Sequence, residues 1–521
     1  MLYNKFMTSC AIGDRSILVR LTNRADASLE RYFWCWASLF LVLFLASSIT
    51  RDIRIKLWTD ELFTLLIAKQ ASPADIVKAA MEGCDQAPPL YAMIVHSILP
   101  IVRHEALAVR LPSTLGYCGM VLCLLAFCRR RFSAAYAFIA VLLAIAASFY
   151  YSTEGRAYGI VLGSAAGALL CWQMAAEGRR RDLAIALLAL CSALMVAMHY
   201  YAIFFLGSLF LAEMARTQAA RKVDLRILTA LMLPALLILA LHYPLIAVSK
   251  PFEEHYWSPA GFDQIIPFYE HYFHPLMVVS SLAVVILAIF AESPAYPSTH
   301  EPGMPVQEWV AIGALTLMPA VVIVVSKYTT HAFVERYALW AVIGFTLLFV
   351  ALLWRATRAQ AAVGVTILGT LVAVIALKEI GSPGKNAPIL LEAEKMLLEL
   401  ETLQDGAEVV VIANPHMFME LSYYEKPRLQ ERLIYPVSRD LDLRYRGYDT
   451  AAISLPALSH RTKLLVKDCD AIIAEYPRFF LAATPEDYLP WHLVAAGYRV
   501  IPIGSKATQP MLFEVETSKA E

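Results

Sequence analysis

Between residues 30 and 380 long apolar runs alternate with short polar punctuation. A helix crosses a bilayer with about 20 predominantly apolar residues. Eleven stretches approach that length, at 33–50, 107–128, 133–151, 157–176, 182–199, 200–215, 227–248, 275–291, 307–326, 337–354 and 360–378. The fifth and sixth are joined tightly at His199-Tyr200-Tyr201. After about residue 380 the pattern changes. Glu408 to Ala413, Leu433-Ile434-Tyr435, Ala471-Ile472-Ile473-Ala474 and Tyr498 to Ile501 read as short buried strands, with helical segments near 389–403, 415–425, 450–466 and 485–497. Strand and helix alternating in this way predict a small, mainly parallel sheet covered by helices. The expected organisation is a polytopic α-helical membrane domain over 1–380 and a soluble α/β domain over 381–521.

Arginine-rich loops orient the spans. Arg129-Arg130-Arg131, Arg179-Arg180-Arg181, the stretch Arg216 to Arg226, and Arg355 with Arg358 fall on alternate loops. Positive charge marks the cytoplasmic side. The tail carrying Lys5, Arg15, Arg20, Arg24 and Arg31 lies on that side too, with the first span an uncleaved anchor. An odd number of spans then puts the C-terminal domain outside. The outer loop 51–106 is long enough to carry structure of its own. Ser72-Pro73-Ala74-Asp75 is a helix start, with Ser72 as cap and Pro73 in the first position. An amphipathic helix from there to Gly83 sets Ile76, Val77, Ala80 and Met81 on one side, suited to the membrane surface, as does the preceding stretch Leu62 to Ala68.

Composition agrees with this layout. Of 521 residues 59% are hydrophobic and only 17% charged, with 44 basic and 44 acidic side chains. Soluble chains run about 25% charged, so a soluble enzyme is excluded, and the even balance excludes a basic nucleic-acid binder. Most cysteines sit in apolar runs; only Cys84 and Cys469 fall in outer segments, where one bridge is possible. Asn414-Pro415, after a strand, reads as a helix cap that could also receive an anion.

Ionisable groups at a membrane face mark a functional site by default, and five clusters lie on the outer side. They are Trp58-Thr59-Asp60-Glu61, Asp85 to Tyr91, Tyr150 to Tyr158 with Glu154 and Arg156, His199-Tyr200-Tyr201, and Glu335-Arg336-Tyr337. Arginines at headgroup depth attract a lipid-linked phosphate through charge-assisted hydrogen bonds, and a carboxylate can take a proton from an attacking hydroxyl. That is the chemistry of transfer from a lipid-phosphate donor.

The Asp60-Glu61 pair after the first span, Pro88-Pro89-Leu90-Tyr91, Glu154-x-Arg156-x-Tyr158 and Arg336-Tyr337 resemble the GT-C superfamily of membrane glycosyltransferases. More narrowly, they are similar to the bacterial protein O-mannosyltransferase-like and aminoarabinose-transferase-like (ArnT-like) members, over roughly residues 30–350. The resemblance implies a polyprenyl-phosphate-linked sugar donor, a lipid, glycan or protein acceptor, and work at the periplasmic face of the bacterial inner membrane. It implies Asp60 as general base, with Glu61 beside it and Glu154 as a second acid. Arg156, Tyr158, Arg336 and Tyr337 would meet donor phosphate and sugar, and Asp85, His199 and Tyr200 an acceptor or ion. The family often carries His where Asp85 stands. Asp60, Asp85 and Glu154 offer oxygen ligands for a divalent cation, although no spacing demands one. Two other readings are a transporter or flippase of a lipid-linked substrate and an oligosaccharide polymerase or ligase. The first calls for charged or broken helices near the bilayer midplane, and the second does not need an acidic pair after the first span.

Overall fold

The helices of the first 380 residues are apolar around most of their circumference, which buries them against one another or against lipid rather than against water on one side. The structure, a computed structural model, describes residues 20–273, 304–381, 409–503 and 511–519. The helices that build the membrane half are α1 (Phe33–Arg54), α2 (Thr59–Ala68), α3 (Pro73–Met81), α4 (Leu90–Ile98), α5 (Glu105–Arg129), α6 (Ala134–Ser148) and α7 (Tyr158–Ala176). They continue as α8 (Arg181–Met198), α9 (Ile203–Ala220), α10 (Leu225–Leu241), α11 (Tyr243–Val248), α12 (Val306–Tyr328), α13 (Ala341–Ala356) and α14 (Ala361–Gly381).

Among the described residues six helices are long and apolar enough to cross a membrane, and a seventh if α10 and the helical stretch after it, bent by 56°, make one span. The expected count of eleven is therefore not reached there. The run 275–291 lies outside the described residues. Three others fold as helices: 200–215 becomes α9, which is polar toward its end, and 337–354 and 360–378 become α13 and α14. Part of the reason is local. The tyrosine-rich helix ends wind into tight 3-10 turns at Phe149–Ser152, Tyr200–Ala202 and Glu335–Ala338, so α9 and α13 start several residues late. Such turns are common at helix termini, and here each carries or adjoins one of the polar clusters.

Close backbone contact locks α5 to α7. A Cβ on Gly163 would stand 2.1 Å from the Gly116 carbonyl oxygen, so only glycine permits the approach that membrane helices use in place of a hydrophobic driving force. At the opposite end of the bundle the arginine runs are neutralised by acids. Arg129 meets Glu30, Arg130 and Arg131 meet Glu177, and Arg131 also grips the buried Glu308 of α12.

In loop 51–106 the expected helix forms as α3, with the Ser72 hydroxyl accepting from the Asp75 N–H. Ile76, Ala79 and Ala80 are its buried residues, while Met81 is exposed. Its inward face meets protein: Gly83, just beyond it, lies against Phe252 and Ile453.

The C-terminal part contains β1 (Val410–Ile412), β2 (Leu433–Val437), β3 (Val466–Asp468), β4 (Arg478–Ala483), β5 (Tyr498–Ile503) and β6 (Met511–Lys519), in the order β3-β2-β1-β4-β6-β5. The first four are parallel, and β6 is antiparallel to both β4 and β5. Its helices include α15 (Pro415–Tyr424), α16 (Thr450–Ser459), α17 (Cys469–Glu475) and α18 (Leu489–Ala495). The expected strand at 471–474 is instead inside α17. The Asp468 carboxylate caps the Asp470 and Ala471 N–H groups, and burial follows a helical spacing, Cys469 and Ile472. Local capping there outweighs the β preference of the two isoleucines. Asn414 caps α15 through the His416 and Met417 N–H groups, so its oxygen is engaged in structure. The segment 389–403 lies outside the described residues.

Alternation across the sheet joins the two halves. Val410, Ile412, Leu433, Tyr435, Phe480 and Ala482 belong to one apolar core continuous with the membrane helices, while Val411, Ile434, Phe479 and Leu481 form a second core on the other face. Cys84 and Cys469 are both free and buried, and no bridge joins them.

Candidate active site

The loop after α1 is fixed first. Arg110 of α5 donates to both Glu61 oxygens at 2.7 and 2.6 Å and to the carbonyls of Asp52, Ile55 and Lys56 at 2.7–3.0 Å. Glu61 also accepts from the Trp58 N–H at 3.2 Å, closing the first turn of α2, and from the Gly155 N–H at 2.6 Å. A Cβ on Gly155 would come within 2.3 Å of Val109 and 3.1 Å of Glu61, so the middle residue of Glu154-Gly155-Arg156 has no room for a side chain. One buried ion pair thus ties together α1, α2, α5 and the start of α7. Tyr91 adds α4, its hydroxyl donating to the Val109 carbonyl at 2.8 Å.

On this frame a cavity of about 310 Å³ opens between helix ends at one side of the bundle. Asp60, Asp85, Arg156, Tyr158, His199, Tyr200, Arg336 and Tyr337 all line it. Arg156 pairs with Asp85 at 2.6 Å and also reaches Thr64 Oγ1 at 3.2 Å. Arg336 lies 3.5 Å from the Asp60 carboxylate, and its Nε has no hydrogen-bond partner among the described residues. Tyr337 shares a 2.7 Å hydroxyl contact with Tyr256, and Tyr200 approaches His242 at 3.4 Å.

Two of the expected acids stand elsewhere. Glu61 is enclosed with Arg110 behind the wall, and Glu154 is buried, with one oxygen lacking a hydrogen-bond partner among the described residues. Neither lines the cavity. Burial pushes the Glu154 carboxyl up to about 8, with Arg336 opposing and Asp60 reinforcing the shift. It is therefore neutral at pH 7 and leaves Arg336 free of a second counter-charge. Burial pulls Arg156 down, but Asp85 and Asp60 outweigh it and hold the guanidinium's pKa up; in return Arg156 overcomes burial at Asp85 and holds that carboxyl below its usual range. His199 sits among the rings of Tyr158, Tyr201, Tyr337 and Trp340 at 5.4–6.2 Å. Burial, then the charges of Arg336 and Arg156, bring its imidazole down to about 3, so it stays neutral.

No three His, Cys, Asp or Glu side chains converge on a point that could hold a metal among the described residues. Asp85 is paired with Arg156 and Asp60 faces Arg336. Two of the three oxygen ligands suggested by the sequence, Asp60 and Asp85, thus face guanidinium groups.

Other wall residues escaped sequence reasoning: Tyr256, Trp257 and Thr330, and from the C-terminal half Thr450 and Ser454. Nothing local distinguishes the last two. Arg110 does carry a signal, an arginine within an apolar run.

No protein-family model and no curated protein matches the sequence. Solved structures do. The apo crystal structure of ArnT from Cupriavidus metallidurans superposes over 92% of this chain and 98% of its own, at 12% identity and a TM-score of 0.53. The same protein bound to undecaprenyl phosphate matches with the same figures. With nearly the whole of both chains in that overlap, this chain shares the fold of ArnT.

Proposed function

We propose that this protein is a glycosyltransferase that moves a sugar from a polyprenyl-phosphate donor to a lipid, polysaccharide or protein acceptor, at the periplasmic face of the bacterial inner membrane. The observation that carries this reading is the meeting of Asp60 with two half-buried guanidinium groups, Arg156 and Arg336, on a single cavity at the helix ends. The undecaprenyl phosphate bound to ArnT supports a lipid-linked donor. Size agrees as well. At about 310 Å³ the cavity is at the small end of ligand sites, which span roughly 300–1,000 Å³. It admits a sugar phosphate, and the polyprenyl tail stays in lipid.

Arg156 and Arg336 take the donor phosphate and hold it where charge grows as the glycosidic C–O bond breaks. Asp60 accepts the proton of the acceptor hydroxyl while that oxygen attacks the anomeric carbon. The electron pair of the broken bond leaves with the polyprenyl phosphate, and a single displacement inverts the anomeric centre. Neutral Glu154 and His199 line or back the site without competing for the phosphate. Positive charge at the leaving group comes from the guanidinium groups.

Mass spectrometry of envelope lipids and glycans from cells lacking the gene tests the reading. A sugar that disappears, and returns with the wild-type gene but not with Asp60→Asn, is the expected result. Restoration by Asp60→Asn at normal protein levels removes Asp60 from the mechanism.

A further inference from the structure

The residues between α1 and α2, Ile55 to Trp58, belong to neither helix, so their peptide groups have no regular ladder and need partners from elsewhere. From the membrane half Arg110 takes the Ile55 and Lys56 carbonyls at 2.7 and 3.0 Å, and Glu61 takes the Trp58 N–H at 3.2 Å. The residue between them is held from the other side. The Leu57 N–H donates to the Tyr424 hydroxyl at 2.5 Å, and the Lys56 ammonium lies 4.9 Å from the centre of the Tyr424 ring. One residue before Asp60, the Thr59 hydroxyl donates to the His416 carbonyl at 3.4 Å. His416 and Tyr424 stand in the first and last turns of α15, in the C-terminal part.

Helix α15 is itself anchored. Asn414 caps its start, and Met417, Phe418 and Leu421 are buried on one side, with the Phe418 ring 5.5 Å from that of Tyr435 in β2. The stretch that leads into Asp60 is therefore tied to the framework of the C-terminal sheet as well as to the membrane helices. Asp60 follows at once, on the cavity and 3.5 Å from Arg336. A base must stand within hydrogen-bond reach of the proton it takes, and a displacement of about 1 Å costs up to about a hundred-fold in rate.

We propose that Tyr424 is a positioning residue for Asp60: its hydroxyl fixes the backbone that enters α2, so that the C-terminal part takes part in transfer without touching substrate. This rests on the glycosyltransferase reading above, with Asp60 as base. The neighbouring tyrosine supplies the comparison. The Tyr423 hydroxyl meets Glu105, which pairs with Lys69 at 2.7 Å. Lys69 follows the far end of α2, about 13 Å from Asp60 at 1.5 Å per residue.

The test uses full-length protein carrying Tyr424→Phe, with Tyr423→Phe as the same change one residue away and Thr59→Val as a second break in the hold on the Asp60 segment. Product is read by mass spectrometry in gene-deleted cells at matched protein levels. Purified protein is assayed for undecaprenyl phosphate binding and for amide hydrogen exchange over residues 55–60. The expected result is that Tyr424→Phe lowers product by roughly five- to a hundred-fold, from the loss of one neutral hydrogen bond to a misplacement of about 1 Å. Exchange at Leu57 quickens, and undecaprenyl phosphate affinity stays at the wild-type value. Thr59→Val lowers product in the same direction, while Tyr423→Phe keeps both product and the exchange of 55–60. Unchanged product with Tyr424→Phe overturns the inference. So does an equal loss with Tyr423→Phe, which would make α15 a general prop, and so does a matching loss of undecaprenyl phosphate affinity, which would mean that the whole cavity is disturbed. If Tyr424→Phe fails to accumulate, Thr59→Val decides, and wild-type product from it overturns the inference. If wild-type protein binds no undecaprenyl phosphate and deletion changes no glycan, the glycosyltransferase reading itself fails, and the positioning role with it.

Discussion

Replacing Arg110 by Ala removes one side chain and leaves several groups unmatched. The pair with Glu61 is almost fully enclosed, the two side chains being 4% and 1% exposed. Removing one partner of a buried pair costs about 3–5 kcal/mol, because the remaining charge is stranded. Here three carbonyls, of Asp52, Ile55 and Lys56, lose their donor as well. At about 1.4 kcal/mol per factor of ten, the ratio of unfolded to folded protein rises roughly a hundred- to several-thousand-fold. Glu61→Gln should lose a comparable amount, and the double variant should fall short of the sum, since both remove one interaction. Thermal unfolding of detergent-solubilised protein followed by a thiol-reactive dye reads this directly, because most of the free cysteines are buried. Wild-type melting for Arg110→Ala, or strict additivity of the pair, would refute the argument. Wild-type melting of Glu61→Gln with transfer abolished would instead make Glu61 a reacting group, against its position behind the wall.

Arg156→Ala and Arg336→Ala should each weaken undecaprenyl phosphate binding by roughly ten-fold or more, as expected for a charge-assisted contact worth about 1.5–3 kcal/mol; lipid binding to purified variants checks it, and an effect on acceptor dependence alone would remove them from the phosphate site. Glu154 gives a pH signature. Its folded value of about 8 lies above the ordinary 4.5, so between those values the folded protein holds a proton that the unfolded chain has lost. Stability therefore falls as pH rises through that window and levels off above it. Glu154→Gln removes that slope, and parallel melting profiles for variant and wild type from pH 5 to 9 would show that the proton is not there.

Apolar run length was enough to place most of the membrane helices, and the order of polar clusters along the chain named eight residues that line one cavity. Both are legible because hydrocarbon imposes a strict local rule, about 20 apolar residues with charge kept to the ends. The roles within the clusters were not legible. Asp60 and Glu61 are neighbours in sequence, yet on a helix they diverge by about 100°; one faces the cavity, and the other turns inward to an arginine 49 residues away. The same holds for Asp85, whose partner is Arg156. In the C-terminal part the loss of the strand at 471–474 to α17 turned on one capping aspartate, and β3, β4 and β6 depended on pairing that only the assembled sheet provides. Thr450 and Ser454 line the cavity because α16 docks against loop 51–106, more than 360 residues earlier in the chain. What the sequence decided alone is what lipid demands of each segment by itself. Which acid faces substrate and which faces an arginine is a matter of distance between segments, and that was settled only when the helices packed.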